Sequence, residues 1–282
     1  MHDWRELSAS AWREPMGRAG FFGIGALTLL ALASLCWTPH DPDAISGASL
    51  SPPSLSHLLG TNGIGQDVLS QVLTGCRVSL ITALAVGLGA TAIGFVVGAA
   101  AGYYPRRLGV VLMRLVDVLM TIPRLPFIIL LAAFLPPRLA NVIAVLIFLA
   151  WPQAARTIRA QTLSLRERDY IRFAQFSGLG FFHILRRHLL PELFPLLPAK
   201  AVGAAAQAIV AEVGLGFLGL GDPTQRSWGM MVRGALDYPG LLWTDAWSWW
   251  ILPPSVMVSL AVLSFTLAGY GLDEALRRER ER

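Results

Sequence analysis

Residues 78–103 read VSLITALAVGLGATAIGFVVGAAAGY, an apolar stretch that contains no charged side chain. With about 1.5 Å of rise per helical residue, it can cross the roughly 30 Å hydrocarbon core of a bilayer. Gly94, Gly98 and Gly102 recur at every fourth position, one turn after Ala90. Small residues at this spacing let helices approach closely in lipid. We therefore predict a spanning helix that packs on another helix through these glycines; chance spacing in a glycine-rich chain is the alternative.

Five further apolar segments lie before and after this one in the chain. They cover residues 19–37, 110–135, 139–158, 193–217 and 249–271. Only 15% of the 282 residues are charged, whereas soluble domains carry about 25%. A large soluble helical protein does not need apolar runs of about 20 residues repeated along its length. The sequence therefore predicts an all-α polytopic membrane protein with six transmembrane helices.

The first apolar segment shares features with a secretory signal peptide. Arg18 precedes it, and residues 31–33 read Ala-Leu-Ala, which is similar to a cleavage site. Five further spans follow this segment, so we interpret it as an uncleaved first transmembrane helix.

Arginine is distributed unevenly between the two sets of connecting loops. If the N-terminus lies inside, the inner set holds seventeen arginines and the outer set holds four. Because basic residues concentrate in cytoplasmic loops, both termini are predicted to be cytoplasmic. The net charge of +5 is therefore attributed to membrane orientation, with lipid as a contact and no nucleic acid partner. The inner arginines are Arg5, Arg13, Arg18, Arg106, Arg107, Arg114, Arg156, Arg159, Arg166, Arg168, Arg172, Arg186, Arg187, Arg277, Arg278, Arg280 and Arg282, and the outer ones are Arg77, Arg138, Arg226 and Arg233.

This topology divides the chain into five predicted parts. They are a cytoplasmic N-terminal segment (1–18), a first transmembrane helix (19–37), an extracytoplasmic loop (38–77), a five-helix core (78–271) and a cytoplasmic tail (272–282). The core contains a long cytoplasmic loop at residues 159–192, which is rich in arginine.

The centre of that loop reads RERDYIRFAQFSGLGFFHILRRHLLPEL at residues 166–193. Apolar and small residues at Tyr170, Phe173, Ala174 and Ser177 follow a helical repeat, and Gly178 is a natural helix end. Residues 181–193 then resume as an amphipathic helix. Two short helices joined at a glycine predict a rigid knob that can transmit force from a soluble partner to the adjoining transmembrane helices.

This knob resembles the EAA loop of ABC-importer inner-membrane permeases, in which Glu-Ala-Ala, Gly and Leu-Pro stand at fixed spacing. The matching positions are Arg172-Phe173-Ala174, Gly178 and Leu190-Pro191. Residues 57–80, HLLGTNGIGQDVLSQVLTGCRVSL, are similar to the HxLGTDxxGRDxxSRxxxGxRxSL block of the oligopeptide, dipeptide and nickel permeases. Residues 113–123, 151–171 and 214–231 resemble further blocks of that family, in the same order. The blocks resemble the second, C-type permease of the pair.

The sequence departs from the family pattern at several of these positions. Arg172 and Phe173 stand where the family has glutamate and alanine, and Asn62 and Gln66 stand where it usually has Asp and Arg. The arginine at the coupling position implies either an ATPase with a matching acidic site or weaker coupling. We favour the matching site.

The resemblance implies a type I ABC-importer permease fold in the bacterial inner membrane. It implies a heterodimer with a second, homologous permease, two ATP-binding subunits that use ATP and Mg, and an extracytoplasmic substrate-binding protein. The chain itself has no GxxxxGK[ST] loop, so we expect a non-catalytic subunit that binds no cofactor. Its coupling residues would be Arg172, Phe173, Ala174, Gly178, Leu190 and Pro191, and its cargo a peptide or a nickel or other metal chelate.

Two ionisable residues within the apolar segments are candidates for the translocation pathway. Arg124 lies between Pro123 and Pro126 in the third segment, where an arginine costs about 2.5–3.5 kcal/mol on insertion scales. Glu212 in the fifth segment is its candidate partner, although an architectural role for Glu212 is an alternative. Arg124 could instead extend towards the cytosolic face. Arg114 and Asp117 are three residues apart and are expected to pair.

Two other classes of function remain as alternatives. A membrane-embedded enzyme would need a catalytic motif, and the sequence has no HExxH, no GxSxG and no paired intramembrane aspartates. A stand-alone channel or secondary transporter would need no ATPase-docking knob. His183 and His188 are five residues apart and do not share a helix face well, so no metal site is expected there.

Overall fold

The computed structural model describes the backbone of residues 14–281 and the side chains of residues 14–278. Most of the predicted N-terminal segment, including Arg5 and Arg13, lies outside the described residues, as do Arg282 and the side chain of Arg280. The described part is helical, and its only β-pairing consists of two isolated bridges, Ile45 with Gln66 and Thr61 with Asp67. The helical elements are α1 (Pro15–Cys36), α2 (Val68–Tyr103), α3 (Arg107–Thr121), α4 (Arg124–Phe134), α5 (Leu139–Arg166), α6 (Asp169–Phe176), α7 (Phe181–Ile184), a π-helical turn (Leu185–Leu189), α8 (Leu190–Leu193), α9 (Leu196–Phe217), α10 (Trp228–Leu236), a 3-10 turn (Leu241–Trp243), α11 (Trp247–Trp250) and α12 (Leu252–Glu281).

Five helical segments in the described chain are long and apolar enough to cross a membrane. They are α1, α2, α5, α9 and the α11–α12 segment at residues 247–278. The pair α3 and α4 passes the same criteria only as a unit and is bent by 88°, which makes it a sixth candidate span. The all-α polytopic fold with up to six spans is thereby confirmed.

The third apolar segment, residues 110–135, was predicted to be one continuous helix, and this prediction is wrong. The helix breaks at Ile122 and Pro123, whose ψ angles of 125° and 112° are extended. The ring of a proline disfavours the helical conformation of the residue before it, so Ile122 cannot continue α3. Arg124 is consequently the first residue of α4 and not an interior position of a spanning helix.

Several predicted segment ends also need correction, because polar residues extend the helices beyond their apolar parts. The helix predicted to begin at Val78 begins at Val68, since the Asp67 side chain caps it by accepting the backbone N–H of Ser70. The loop predicted over residues 38–77 therefore ends at Asp67. Helix α5 continues through Arg166, so the long loop does not start at Arg159, and α12 continues to Glu281.

Helix α2 is the central helix of the bundle and packs along α5 through the predicted glycine stripe. A Cβ atom added at Gly94 would lie 2.6 Å from Ala154 Cβ, and one at Gly98 would lie 2.5 Å from the Ala155 carbonyl oxygen. At Gly102 it would lie 2.5 Å from Thr162 Cβ. Ordinary carbon contacts are about 3.5–4 Å, so only glycine permits this helix separation.

The bundle has two ends, which we call the loop end and the knob end. At the loop end, residues 37–67 pack against residues 218–251, where the Trp249 indole donates to the Thr61 carbonyl at 3.3 Å. Trp228 is fully buried there and donates to the carbonyl of Val72 at 2.9 Å. At the knob end, α2 and α5 finish, α9 starts, and residues 167–193 lie between them.

Candidate functional site

Residues 167–193 form the knob, a small helical unit with its own apolar core. Helix α6 buries Ile171 and Ala174 against Ile184, Leu189 and Leu193 of the following helical segment. The buried face of α6 therefore differs from the predicted repeat at Tyr170, Phe173, Ala174 and Ser177, of which only Ala174 is buried.

Gly178 ends α6 in a left-handed conformation, with φ of +77°. The Leu179 N–H donates to the Ala174 carbonyl at 3.2 Å, and the Gly178 N–H donates to the Gln175 carbonyl at 3.0 Å. This pair of bonds is a Schellman motif, which favours glycine because other residues are strained at positive φ. Gly178 thus fixes the angle between α6 and the segment that begins at Phe181.

The knob contacts the end of α2, and an ion pair joins its own two ends. The ring of Phe181 lies 4.9 Å from that of Tyr103 at the end of α2, measured between centroids. Arg168 and Glu192 approach to 4.0 Å across the base of the knob. Burial raises the pKa of the neighbouring Tyr170 phenol above its ordinary value, and the Glu192 carboxylate raises it further, while Arg168 opposes the rise.

Leu190 and Pro191 lie where the knob joins the next span. The Leu190 N–H donates to the Leu185 carbonyl, five residues earlier, and so closes a π-helical turn. Pro191 has no N–H to donate and stands in the first turn of α8, where that absence costs little. The chain then continues through Phe194 and Pro195 into α9 with helical torsions.

The knob carries three largely exposed phenylalanines on α6 and α7, which we together call the knob face. Phe173, Phe176 and Phe182 are 74%, 90% and 81% exposed. Arg172 is exposed beside them, and its side chain has no ion pair within the described residues. Exposed apolar clusters of this kind mark interaction surfaces. The spacing of Phe173 and Phe176, three apart on a helix, was a signal for this face that the sequence analysis did not use.

A cavity of about 550 Å³ lies near the midpoints of α2, α5 and α9 and reaches the start of α4. Its lining is apolar apart from three side chains, Arg124, Gln153 and Gln207. Sequence reasoning singled out Arg124 but missed both glutamines. Gln207 was detectable as an isolated uncharged polar residue in the apolar run of α9.

The predicted contact between Arg124 and Glu212 is wrong. Arg124 Nη1 donates to Gln207 Oε1 at 2.7 Å. Glu212 is buried closer to the loop end, where it accepts hydrogen bonds from Ser79, at 3.2 Å, and Ser227. Glu212 does not line the 550 Å³ cavity. Its bonds join α9 to α2 and to the start of α10, which is the architectural alternative considered for it.

The predicted pair between Arg114 and Asp117 also does not form. Asp117 instead pairs with Arg156 of α5, with Nη2 2.5 Å from Oδ1. This contact joins α3 to α5, because helix packing brings Arg156 closer to the carboxylate than the neighbour on the same helix.

A histidine cluster at the loop end brings together potential metal ligands, namely His40, His57 and Asp67, whose ligand atoms lie within 4.8 Å of one another. Each of them already has a protein partner. His57 Nδ1 bonds Asp67 Oδ1 at 2.9 Å, Asp67 Oδ2 accepts from the Ser70 backbone and hydroxyl, and His40 Nε2 bonds the Ser56 carbonyl. The network accounts for the capped start of α2.

Comparison with known proteins gives consistent matches over most of the chain. Residues 94–282 match the family described as binding-protein-dependent transport system inner membrane component. A protein of Brucella suis biovar 1 named as a peptide permease is 37% identical over 275 residues, which cover 95% of this chain and 90% of the relative. The oligopeptide transport system permease protein OppC of Mycobacterium bovis is 34% identical over 270 residues, which cover 92% of this chain and 90% of the relative.

Proposed function

We propose that this chain, which belongs to the family of binding-protein-dependent transport system inner membrane components, is one permease subunit of an ATP-driven importer of peptides. Its partners are a second, homologous permease, two ATP-binding subunits that use ATP and Mg, and an extracytoplasmic binding protein. The peptide cargo follows the names of the relatives. The arginine distribution supports an inner-membrane orientation in which the knob and both termini face the cytoplasm.

The single observation that carries this proposal is the knob face. Three largely exposed phenylalanines on a unit with a packed core are unfavourable in water and favourable in a protein interface. The ATP-binding subunit is the partner that the family provides on this side of the membrane. Arg172 at the edge of the face favours an acidic surface on that partner.

The attachment of the knob supports a route by which ATP binding moves the helices. The knob continues through residues 194–195 into α9 and contacts the end of α2 through Phe181 and Tyr103. Helices α2 and α9 both line the 550 Å³ cavity. When the ATP-binding subunits close, they would displace the knob, and α9 and α2 would move with it. This movement would switch the cavity between a state open to the cytoplasm and a state open to the outside. Gly178 and the apolar core keep the knob rigid enough to transmit that displacement.

A pair of matched substitutions tests the docking surface. Phe176→Ser removes a 90% exposed aromatic from the knob face, and Trp243→Ser removes a 93% exposed aromatic at the loop end. Neither side chain contributes to a core, so both variants are expected to fold. With all subunits co-expressed, Phe176→Ser should lose most of the co-purifying ATP-binding subunit and most peptide uptake, whereas Trp243→Ser should retain both. Equal retention in the two variants would contradict the proposal.

A further inference from the structure

The 550 Å³ cavity is open to the surface of the chain, and the exposed Arg124 is the only charged side chain among the described residues that line it. Its lining offers Arg124, Gln153 and Gln207 as polar groups and otherwise only apolar side chains. Asp117 pairs with Arg156, and Glu212 bonds to serines, so neither carboxylate offsets the charge of Arg124. Within the described residues, Arg124 has no salt bridge.

The hydrogen bond to Gln207 orients the guanidinium but leaves its charge unpaired. Arg124 Nη1 donates to Gln207 Oε1 at 2.7 Å, and the other guanidinium N–H groups of this fork-shaped donor remain free for a ligand. A neutral amide oxygen cannot offset a full charge. The start of α4 adds to the positive potential, because Pro123 precedes Arg124 and no side chain caps the first turn.

The depth of the cavity decides which kind of anion can reach Arg124. Val86, Leu149 and Gln207 line it, and each stands near the midpoint of its spanning helix. A phospholipid headgroup lies at the ends of such helices, so its phosphate is distant from this position. An uncompensated arginine at this depth is costly and is typical of a substrate pathway. The anion is therefore expected to arrive through the cavity.

We propose that Arg124, positioned by Gln207, binds the carboxylate of the peptide cargo during its passage through the permease. A guanidinium and a carboxylate match in a two-pronged, charge-assisted hydrogen-bonding geometry. Every unmodified peptide carries a C-terminal carboxylate whatever its sequence. The apolar remainder of the lining accommodates varied side chains without selecting among them. This inference rests on the proposed function, because it takes peptides as the cargo.

The test compares one peptide in two forms, with a free C-terminal carboxylate and with a C-terminal amide, chosen so that the binding protein binds both equally. ATP-driven uptake is measured in proteoliposomes that contain the complete complex. The variants are Arg124→Gln, Arg124→Lys and the matched control Arg114→Gln, which changes an exposed arginine of α3 outside the cavity lining.

The wild-type complex and Arg114→Gln are expected to favour the free-acid peptide over the amide. Arg124→Gln should lower uptake of the free acid by about tenfold or more, the effect of losing a charge-assisted hydrogen bond. It should leave amide uptake nearly unchanged. Arg124→Lys should restore part of the preference, because it keeps the charge and loses the forked geometry.

Two outcomes would overturn the inference while leaving the proposed function intact. One is a wild-type preference for the free acid that persists in Arg124→Gln. The other is an Arg124→Gln complex that no longer holds its second permease, since Arg124 would then pair with a carboxylate of that subunit. A wild-type complex that imports neither peptide would instead contradict the proposed function and the inference together.

Discussion

The close contact of α2 with α5 gives a prediction whose size follows from the structure. A methyl group at Gly98 would lie 2.5 Å from the Ala155 carbonyl oxygen and 2.9 Å from Ile158 Cβ. One of these atoms is a backbone oxygen and the other is a Cβ, so neither can move by a side-chain rotation. The helices must therefore separate by about 1 Å to restore normal contact. Gly98→Ala should therefore carry an overpacking cost of about 1–3 kcal/mol, offset by up to about 1 kcal/mol of gained helix propensity.

Gly203 of α9 provides the matched control, because a Cβ added there meets no atom within 4 Å. Gly203→Ala should stabilise the chain by about 0.5–1 kcal/mol through helix propensity alone. The free energies of unfolding can be compared by denaturant titration in detergent micelles, followed by circular dichroism. The two variants should differ by about 1–3 kcal/mol, with Gly98→Ala the less stable. If Gly98→Ala matched Gly203→Ala in stability, the close packing of α2 on α5 would be refuted.

Three further changes have defined outcomes. Gly178→Pro should abolish ATP-driven uptake with the chain still in the membrane, because proline cannot adopt φ of +77° or donate the Gly178 N–H bond. Gly180→Pro, at φ of −69°, should retain uptake. Equal uptake by the two variants would count against transmission of force through the knob. Asp222→Ala should cost about 1 kcal/mol of unfolding free energy, because the Asp222 carboxylate accepts the N–H of Leu139 at the start of α5. Trp228→Phe should also cost about 1 kcal/mol, since a buried carbonyl of α2 loses its 2.9 Å indole donor; unchanged stability in either variant would contradict its assigned contact.

The contribution of Asp222 to the free energy of unfolding should also depend on pH. Burial alone would raise the pKa of Asp222, but hydrogen bonds from Thr224 and the Leu139 N–H, with the charge of Arg138, outweigh burial and lower it. A lowered folded-state pKa gives stability that is complete above the unfolded pKa of about 3.9 and is lost as pH falls through the folded value. Asp222→Asn should remove this part of the acid dependence, which pH-resolved unfolding measurements can detect.

The sequence predicts the spanning helices well, because lipid requires long apolar runs and those runs are visible in the chain. The glycine stripe on α2 is equally visible, since its spacing reflects helix geometry alone. The helix ends are harder to predict from hydropathy. Val68–Arg77 and Arg159–Arg166 are polar enough to resemble loops, but capping by Asp67 and contacts within the bundle keep them helical.

The tertiary pairings were the least predictable part of the site. Arg124 and Glu212 looked like partners because both are ionisable and lie in apolar segments, but no local rule gives their relative depth. The break before Pro123 places Arg124 near Gln207, while Glu212 lies one helical turn and more further along α9. Trp250 illustrates the same limit, because it is buried against Tyr238 although its sequence context is typical of an exposed interfacial tryptophan.

The central claim is that the knob face is the contact with an ATP-binding subunit, and site-specific cross-linking tests it most directly. Phe176→Cys is introduced with the exposed Cys36 replaced by serine, while Cys76 is buried and can remain. A short cross-linker with one thiol-reactive end and one photoreactive end, which inserts into any neighbouring residue, is applied to membranes that contain the complete complex, and Trp243→Cys serves as the control. We predict that position 176 forms an adduct with a polypeptide carrying a GxxxxGK[ST] loop, identified by mass spectrometry, and that position 243 does not. An adduct-free position 176 in a complex that still imports peptide would contradict the account.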